Sequence, residues 1–139
     1  MPTARQTQGL PLPFPAVPPR PRHDATSSMI AVSTLNDRAR VSCRRSFAAM
    51  GWQPGHPIIY SMHGHLIAIR SAPGRTSRFK IGALGQIWLP AQTVRATRLR
   101  PGDSIIVLAL PIRSVLVIIP TSLVQEALST MVEGVVGAT

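Results

Sequence analysis

The apolar positions of this chain come in short runs that are separated by turn-forming residues. These runs predict eight strands, at 30–35, 40–43, 58–62, 66–70, 78–83, 86–89, 104–110 and 115–119. Ile, Val and Leu dominate the later runs, and these residues favour strands. Two short helices are predicted, at 44–50 and 90–97, and the first ends at Gly51 because glycine readily adopts the left-handed conformation. The pattern therefore predicts a mainly β fold with short helices.

The order of these elements occurs twice. Each copy has a strand, a turn, a second strand, a short helix, a Pro-Gly turn and a hairpin, and setting 51–56 against 98–103 gives an offset of 47 residues. Only the Pro and the Gly are identical there, so the duplication rests on the pattern. It predicts a first half at 29–70 and a second half at 79–120, joined by a polar linker at 71–78. The aliphatic runs of the last hairpin predict strands that are buried on both faces.

The two ends of the chain differ from this central part. Residues 1–28 hold seven of the fourteen prolines and predict a disordered tail. Polyproline ligands at 15–18 and 18–21 are a less favoured interpretation, and translation from Met29 is an alternative start. After Pro120, a capping Thr121 or Ser122 predicts a helix at 121–132 with an apolar stripe, which lies on the domain or on a partner subunit. The segment 121–139 is thus a C-terminal helix with a frayed end.

Charge narrows the choice of partners. The chain has 15 Lys and Arg residues against 5 Asp and Glu residues, a formal net charge of +10, and fourteen of the basic residues are Arg. Nucleic acid, an anionic membrane or an acidic protein are the usual partners of so basic a chain, and a merely solvated basic surface is the alternative. Arginine binds phosphate and guanine in a bidentate manner, which favours nucleic acid.

Other segments bear on location and chemistry. Pro111 and Arg113 interrupt the longest apolar run, so no transmembrane helix is predicted. Prolines at 11, 13 and 15 break the apolar N-terminal stretch, which argues against a signal peptide and predicts a cytoplasmic protein. The spacing suggests no catalytic group, so an enzyme is not expected.

The cysteine and the histidines of the central part are the remaining candidates for special chemistry. Cys43 is the single cysteine, so no disulfide forms within the chain. The candidate metal ligands are this cysteine together with His56, His63 and His65. A hairpin tip gives no fixed convergent geometry and no acidic residue is near in sequence, so no metal or cofactor is predicted.

The residues of the repeat carry a family resemblance. The second copy has Leu-Gly-Gln-Ile-Trp-Leu-Pro at 84–90 and Leu-Arg-Pro-Gly-Asp at 99–103, on either side of a short basic helix. The first copy has Asn-Asp-Arg-Ala-Arg-Val at 36–41 and Met-Gly-Trp-Gln-Pro-Gly at 50–55. This order resembles the AbrB, SpoVT and MazE class of swapped-hairpin DNA-binding domains, with both copies in one chain as in MraZ-like relatives.

The resemblance implies a fold and a function. Two copies would interleave their hairpins into one swapped-hairpin β-barrel, because a four-stranded half alone exposes apolar edges. Trp52 and Trp88 are expected in the core or at the mouth of that barrel. The protein would be a transcriptional regulator that binds duplex DNA and forms a homo-oligomer. An antitoxin that binds a toxin protein, or an oligomerisation scaffold without DNA binding, are the alternatives; the short apolar end of the chain argues against the antitoxin.

In this family, an arginine in the turn and arginines on the short helix contact DNA. Carried over, the turn position is Arg40 in the first copy and Gln86 in the second. The helix position is Arg95 in the second copy, where the first has Phe47 and Ala48. The predicted DNA-binding residues are Arg38, Arg40, Arg44, Arg45, Arg95 and Arg98.

Overall fold

The computed structural model describes residues 28–75 and 77–137, with the backbone alone at Arg75. The predicted Pro-rich tail with its polyproline-like segments lies outside the described residues apart from Ser28, and so do residues 138 and 139.

The described chain forms eight strands and three α-helices, which confirms the prediction of a mainly β fold with short helices and a C-terminal helix. In order they are β1 (Met29–Thr34), β2 (Arg40–Ser42), α1 (Arg44–Met50), β3 (Pro57–His63), β4 (Leu66–Ser71), β5 (Phe79–Lys80), β6 (Gln86–Trp88), α2 (Ala91–Thr97), β7 (Ser104–Leu110), β8 (Val115–Pro120) and α3 (Thr121–Gly137). Short 3-10 turns occupy Pro73–Arg75 and Pro111–Arg113.

Two elements differ in length from the prediction. The strand expected at 78–83 is only two residues long, because the backbone N–H of Gly82 donates to the carbonyl of Gln86 and turns the chain. The C-terminal helix continues to Gly137, past 132 where the apolar stripe was expected to end.

Six strands form one antiparallel sheet in the order β1-β7-β8-β4-β3-β5, and β2 pairs with β6 in a separate ribbon. The order is symmetric between the halves. When β1, β3 and β4 are exchanged with β5, β7 and β8, the same order is obtained, read from the other end of the sheet. Within it, β1 of the first half pairs with β7 of the second, and β5 pairs with β3. The hairpin of each half thus pairs with one outer strand from the other half.

The prediction of a closed barrel is wrong. β1 and β5 remain the two end strands of the six-stranded sheet, and β2 and β6 form a strand ladder with each other and with no strand of that sheet. The early turn at Gly82 leaves β5 with two residues, Phe79 and Lys80, so it offers too few backbone groups to continue the sheet around. The result is a sheet faced by a ribbon instead of a ring of strands.

One aliphatic core lies between the sheet and the ribbon. Val41 and Ile87 of the ribbon are fully buried and pack in the same cluster as Ile58, Ile105 and Ile118 of the sheet. Along β7 the burial alternates between full and partial, so the prediction of strands buried on both faces is wrong. Only the face toward the ribbon is fully covered.

Backbone hydrogen bonds repeat between the halves. The N–H of Asn36 donates to the carbonyl of Arg40, and the N–H of Gly82 donates to that of Gln86. Cys43 N–H donates to Gly85, while Leu89 N–H donates to Ala39. Arg40 and Gln86 therefore occupy equivalent positions, as the repeat predicted.

Candidate nucleic-acid interface

The ribbon of β2 and β6 turns one face inward and one outward. Successive strand residues point to opposite faces, so Val41 and Ile87 enter the core while their neighbours face away from it. The outward residues are Arg40, Ser42, Gln86 and Trp88. The hydroxyl of Ser33 donates to the carbonyl of Ser42 at 2.8 Å and ties the ribbon to β1.

Arg40 and Trp88 form a stacked pair on this outward face. They are partners in the ribbon register, and the guanidinium carbon of Arg40 lies 4.6 Å from the centroid of the indole. Trp88 is 43% exposed, so the pair is at the surface. Stacking on an indole is a favourable position for a guanidinium group. The contact restricts where the Arg40 guanidinium group can lie.

The pair is anchored from below. The hydroxyl of Tyr60 donates to the carbonyl of Trp88 at 2.7 Å, and burial raises the pKa of Tyr60 above its ordinary value, with a further contribution from Cys43. The Nε atom of Arg40 is enclosed by protein and has no hydrogen-bond partner among the described residues. Because Nε is shielded, the terminal nitrogens of the guanidinium group are the ones left to bind a ligand.

The turn before β2 positions two arginines. The side-chain oxygen of Asn36 accepts hydrogen bonds from the backbone N–H groups of Arg38 and Arg40, both at 2.9 Å. Asparagine commonly stabilises turns in this way. The arrangement exposes Arg38 at the turn and directs the chain into the ribbon at Arg40.

Arg44 and Arg45 open α1 on the other side of the ribbon, and both are exposed. The guanidinium of Arg44 donates to the carbonyl of Leu84 at 3.4 Å. Its Cβ atom lies so near Gly85 that a Cβ added to that glycine would be 3.0 Å away. Arg44 is therefore held against the turn that precedes β6.

Arg95 lies in the last turn of α2, and Arg98 follows the helix directly. Arg98 ends this helix in the left-handed conformation, with φ of 57°. It borders a cleft of about 590 Å³ that is also lined by Asp103 and Glu126. The six predicted arginines thus lie on three parts of the chain: Arg38 and Arg40 at the turn and start of β2, Arg44 and Arg45 on α1, and Arg95 and Arg98 on and just after α2.

The arginines at the ribbon have no carboxylate hydrogen-bonded to them in the part of the chain that the structure describes. Arg44 uses a backbone carbonyl, and Arg40 uses an aromatic face. The carboxylate of Asp103 accepts instead from the backbone N–H of Arg100, at 2.8 Å. The positive charge at the ribbon is thus left for an external anion.

Trp88 was expected in the core or at the barrel mouth, and it lies at the surface of the protein. Trp52 is buried, as expected, and stacks near Phe47, but Trp88 lies outside. The signal was present in the alternation of the ribbon strand. With Ile87 directed inward, a period of two places Gln86 and Trp88 on the outer face together.

The residues considered for a metal site have other environments. Cys43 is buried, and its burial raises the pKa of the thiol to about 12, so it stays protonated near neutral pH. His63 and His65 are exposed at the tip of the β3–β4 hairpin. Within residues 28–75 and 77–137, no three His, Cys, Asp or Glu residues are grouped as metal ligands would be.

None of the helices in the described chain has the length and apolar character needed to cross a membrane. Comparison with protein-family models and with curated proteins gives no match for this chain.

Proposed function

We propose that this protein is a transcriptional regulator of the AbrB, SpoVT and MazE type that binds duplex DNA in the cytoplasm. The observation that carries the proposal is Arg40, whose guanidinium carbon lies over the exposed ring of Trp88 and which is flanked by the exposed Arg38 and Arg44. Charged and planar groups held in this way suit a polyanion with planar bases. No catalytic group enters the proposal.

The swapped-hairpin architecture belongs to the proposal as well. It is supported by the pairing of β1 with β7 and of β5 with β3, in which each half supplies a strand to the hairpin of the other. It is further supported by the equivalent hydrogen bonds around Arg40 and Gln86. The ribbon would then take the place at which this class of domains meets DNA.

The ribbon arginines have distinct parts in the proposed complex. Arg38, Arg44 and Arg45 lie on turns and a helix start, where flexible exposed side chains bind phosphates and set the position of the protein. Arg40 is held over the Trp88 ring, and in the proposed complex it makes a bidentate contact to a guanine edge. Arg95 contributes an outer phosphate contact. Arg98 contributes least, because it borders a cleft that carries two carboxylates.

Fluorescence anisotropy tests the proposal. Labelled duplexes from the region upstream of the gene are titrated with the whole chain across a salt series. We expect affinity to fall steeply with salt, since each phosphate contact contributes a slope of about −0.9 in log K against log salt. Arg40→Gln combined with Arg44→Gln is expected to reduce that slope by about 1, for the lost phosphate contact of Arg44, and to weaken binding more than tenfold, because the base contact of Arg40 is lost as well.

Arg70→Gln combined with Arg113→Gln is the matched control. These residues are also exposed arginines, and the double change removes the same charge. Arg113 lies at the tip of the β7–β8 hairpin, beside the start of β1. The other end of β1 contacts the ribbon, and the strand between is about 20 Å long. The control is expected to keep most of the salt slope. A flat salt response of the native chain, or equal losses in both double variants, contradicts the proposal.

A further inference from the structure

A cleft lined by aromatic rings lies beside the short strand β5. Tyr60 of β3, Phe79 of β5 and Trp88 of β6 line one cavity of about 380 Å³. A second cavity of about 480 Å³ adjoins it and shares Tyr60 and Phe79 with it. Cavities of this size are in the range of sites for small ligands. The two together are called here the aromatic cleft.

The rings of the aromatic cleft are held in place by contacts within the protein. The rings of Tyr60 and Phe79 meet edge to face, with their centroids 5.0 Å apart. The hydroxyl of Tyr60 donates to the carbonyl of Trp88 at 2.7 Å, which ties β3 to the ribbon. Side chains that are already positioned lose little freedom when a ligand binds. The aromatic cleft is therefore suited to bind a ligand without rearrangement.

Two cations stand at the rim of the aromatic cleft. Arg78 and Lys80 lie on either side of Phe79 in the chain, and both are exposed. The guanidinium carbon of Arg78 is 4.9 Å from the centroid of the Phe79 ring, so its charge lies at the aromatic surface. None of the described residues that line the two cavities is Asp or Glu. The rim therefore offers its positive charge to an anionic ligand.

The other half of the molecule has no such cluster at the equivalent place. Phe79 pairs with Ile58 of β3, and in the same way Ser33 pairs with Ile105 of β7. The two residues beside Ser33 in the chain carry no charge. The strand pairing of the duplicated frame therefore requires neither the ring of Phe79 nor the two cations beside it.

The same comparison applies to Trp88. Arg40 and Gln86 occupy equivalent positions, so Trp88, the partner of Arg40, corresponds to Ser42, the partner of Gln86. The backbone carbonyl of Ser42 accepts a hydrogen bond from a hydroxyl group, just as that of Trp88 does. Serine thus suffices to build this part of the frame, and the indole of the second half is free to serve a ligand.

A nucleotide combines the two groups that the aromatic cleft accommodates. Bases stack on aromatic side chains irrespective of sequence, because every base has a π-face. Guanidinium and ammonium groups both bind phosphate. Phe79 and the two cations are consecutive in the chain, so a base and the phosphate attached to it can reach both kinds of group at once.

We propose that the aromatic cleft binds one nucleotide unit, with its base against the rings of Tyr60, Phe79 and Trp88 and its phosphate at Arg78 and Lys80. A free nucleotide and a nucleotide within a single strand present the same base and phosphate, and the test below separates these two sources. The site goes beyond duplex binding by the ribbon and does not depend on it. No duplex is used in its test.

Isothermal titration calorimetry of the whole chain with deoxyadenosine monophosphate measures the binding. Because the chain has a formal net charge of +10, deoxyribose 5-phosphate serves as the control for attraction of the charge alone. Deoxyadenosine serves as the control for the base alone. The nucleotide is expected to bind about tenfold more tightly than deoxyribose 5-phosphate, as one base stacked on an aromatic ring allows. Equal affinities for these two ligands would overturn the proposal.

Charge variants test the phosphate position. Arg78→Gln combined with Lys80→Gln is expected to weaken nucleotide binding about tenfold, in the range for lost hydrogen bonds from charged groups. Arg100→Gln combined with Arg113→Gln removes the same charge from exposed residues that line neither cavity, and is expected to keep the native affinity. Equal losses in the two double variants would overturn the proposal.

A ring variant tests the base position. Phe79→Leu keeps an apolar side chain against the core and removes the aromatic ring. It is expected to weaken binding of the nucleotide and to leave binding of deoxyribose 5-phosphate unchanged. Circular dichroism confirms that each variant is folded. A folded Phe79→Leu variant with native affinity for the nucleotide would contradict the assignment of the base.

Tryptophan fluorescence locates the ligand. Trp88 is 43% exposed, whereas Trp52 is buried in the core. The nucleotide is expected to change the fluorescence of the native chain, and this change is expected to be absent in Trp88→Phe, which still binds in the calorimeter. A change that persists in Trp88→Phe would place the ligand near Trp52 and overturn the proposal.

A short single strand of deoxyadenosines identifies the source of the nucleotide. Tighter binding of the strand than of the free nucleotide, lost in the variant that combines Arg78→Gln with Lys80→Gln, assigns the site to single-stranded nucleic acid. Equal binding of the two ligands, lost in the same variant, assigns it to free nucleotides. Binding of neither ligand overturns the proposal.

Discussion

The two halves of this molecule share a backbone and differ in what they place on it. Their turns close with equivalent hydrogen bonds, and Val41 and Ile87 meet at the centre of the ribbon. At the surface, Arg40 of the first half corresponds to Gln86 of the second, and Asn36 supplies a side-chain acceptor where the second half has only Gly82. The comparison shows that buried residues and turns maintain the duplicated frame, while the outward positions are free to diverge in charge.

The largest expected effect concerns the helices. Phe47 on α1 is almost fully buried, whereas Val94, at the equivalent place on α2, is half-buried. Phe47→Ala is expected to lower the free energy of unfolding by about 3–5 kcal/mol, through lost contacts and the cavity that remains. Val94→Ala is expected to cost about 1 kcal/mol, since it removes two methyl groups that are already partly exposed. Urea denaturation measures both, and equal losses would show that the two helices contribute alike to the core.

The next effect appears only at high pH. Cys43 and Leu89 hold equivalent positions, and only the first of them titrates. Burial raises the pKa of the Cys43 thiol from 9.0 to about 12. The unfolded chain therefore releases this proton first, so the stabilising effect is complete below pH 9.0 and is lost as the pH rises toward 12.

Above pH 9.0, the thiol is expected to make the free energy of unfolding fall by about 1.4 kcal/mol per pH unit. Cys43→Ala removes this part of the slope, while Leu89→Ala lowers stability at every pH and keeps the slope. Burial raises the pKa of Tyr60 in all three proteins, so the difference between them measures the Cys43 thiol together with its effect on Tyr60. Denaturant titrations between pH 8 and 10.5 measure it. Parallel curves for the native chain and Cys43→Ala would argue against the effect.

An exchange at the ribbon addresses function. Arg40→Gln gives the first half the residue of the second and is expected to weaken DNA binding about tenfold, within the range for one lost bidentate contact. Gln86→Arg is expected to strengthen binding by a smaller factor, because the partner of Gln86 in the ribbon register is Ser42, which provides no aromatic ring for stacking. Anisotropy titrations at fixed salt compare the variants. If both exchanges change affinity equally, the Trp88 stack has no part in binding.

The smallest effect concerns the ends of α1 and α2. Both helices end in the left-handed conformation, at Gly51 with φ of 73° and at Arg98 with φ of 57°. Arg98→Gly is expected to raise the free energy of unfolding by about 1 kcal/mol, because glycine has no steric cost there.

Gly51→Ala tests the same conformation in the opposite direction, with an expected loss of about 1 kcal/mol. A Cβ at position 51 would meet no atom within 4 Å, so this loss reports the backbone conformation alone. Thermal unfolding measures both changes. A loss of stability in Arg98→Gly would mean that the contacts of its long side chain outweigh the strain.

Much of the fold could be predicted from the sequence. The prediction placed α1 and β7 at the ends the structure gives them, because Gly51 and the Pro-Gly turn at 101–102 are local signals. The closure of the strands could not be predicted, since it depends on how far β5 extends before Gly82 turns the chain. Burial on both faces was predicted from composition, but the aliphatic outer face of β7 is only half-covered.

The candidate site was predicted less completely than the fold. The family resemblance pointed to Arg40, and the alternation of inward and outward residues in β6 indicated that Trp88 faces outward. Neither shows that the two side chains stack, because the register between β2 and β6 joins residues far apart in sequence. The cleft that Arg98 borders depends in the same way on α3 and on Asp103.

The pairing of β1 with β7 has a consequence for the order of folding. Met29 of β1 is in register with Ala109 of β7, and β3 pairs with β5, so both strands of the first half bind partners that are synthesised later. A growing chain that has made only the first half lacks the strands that its own strands bind, and long-range strand contacts of this kind slow the folding step. We therefore expect the first half to expose unpaired strand edges until β7 has been made, and the duplicated chain to fold late and as a unit.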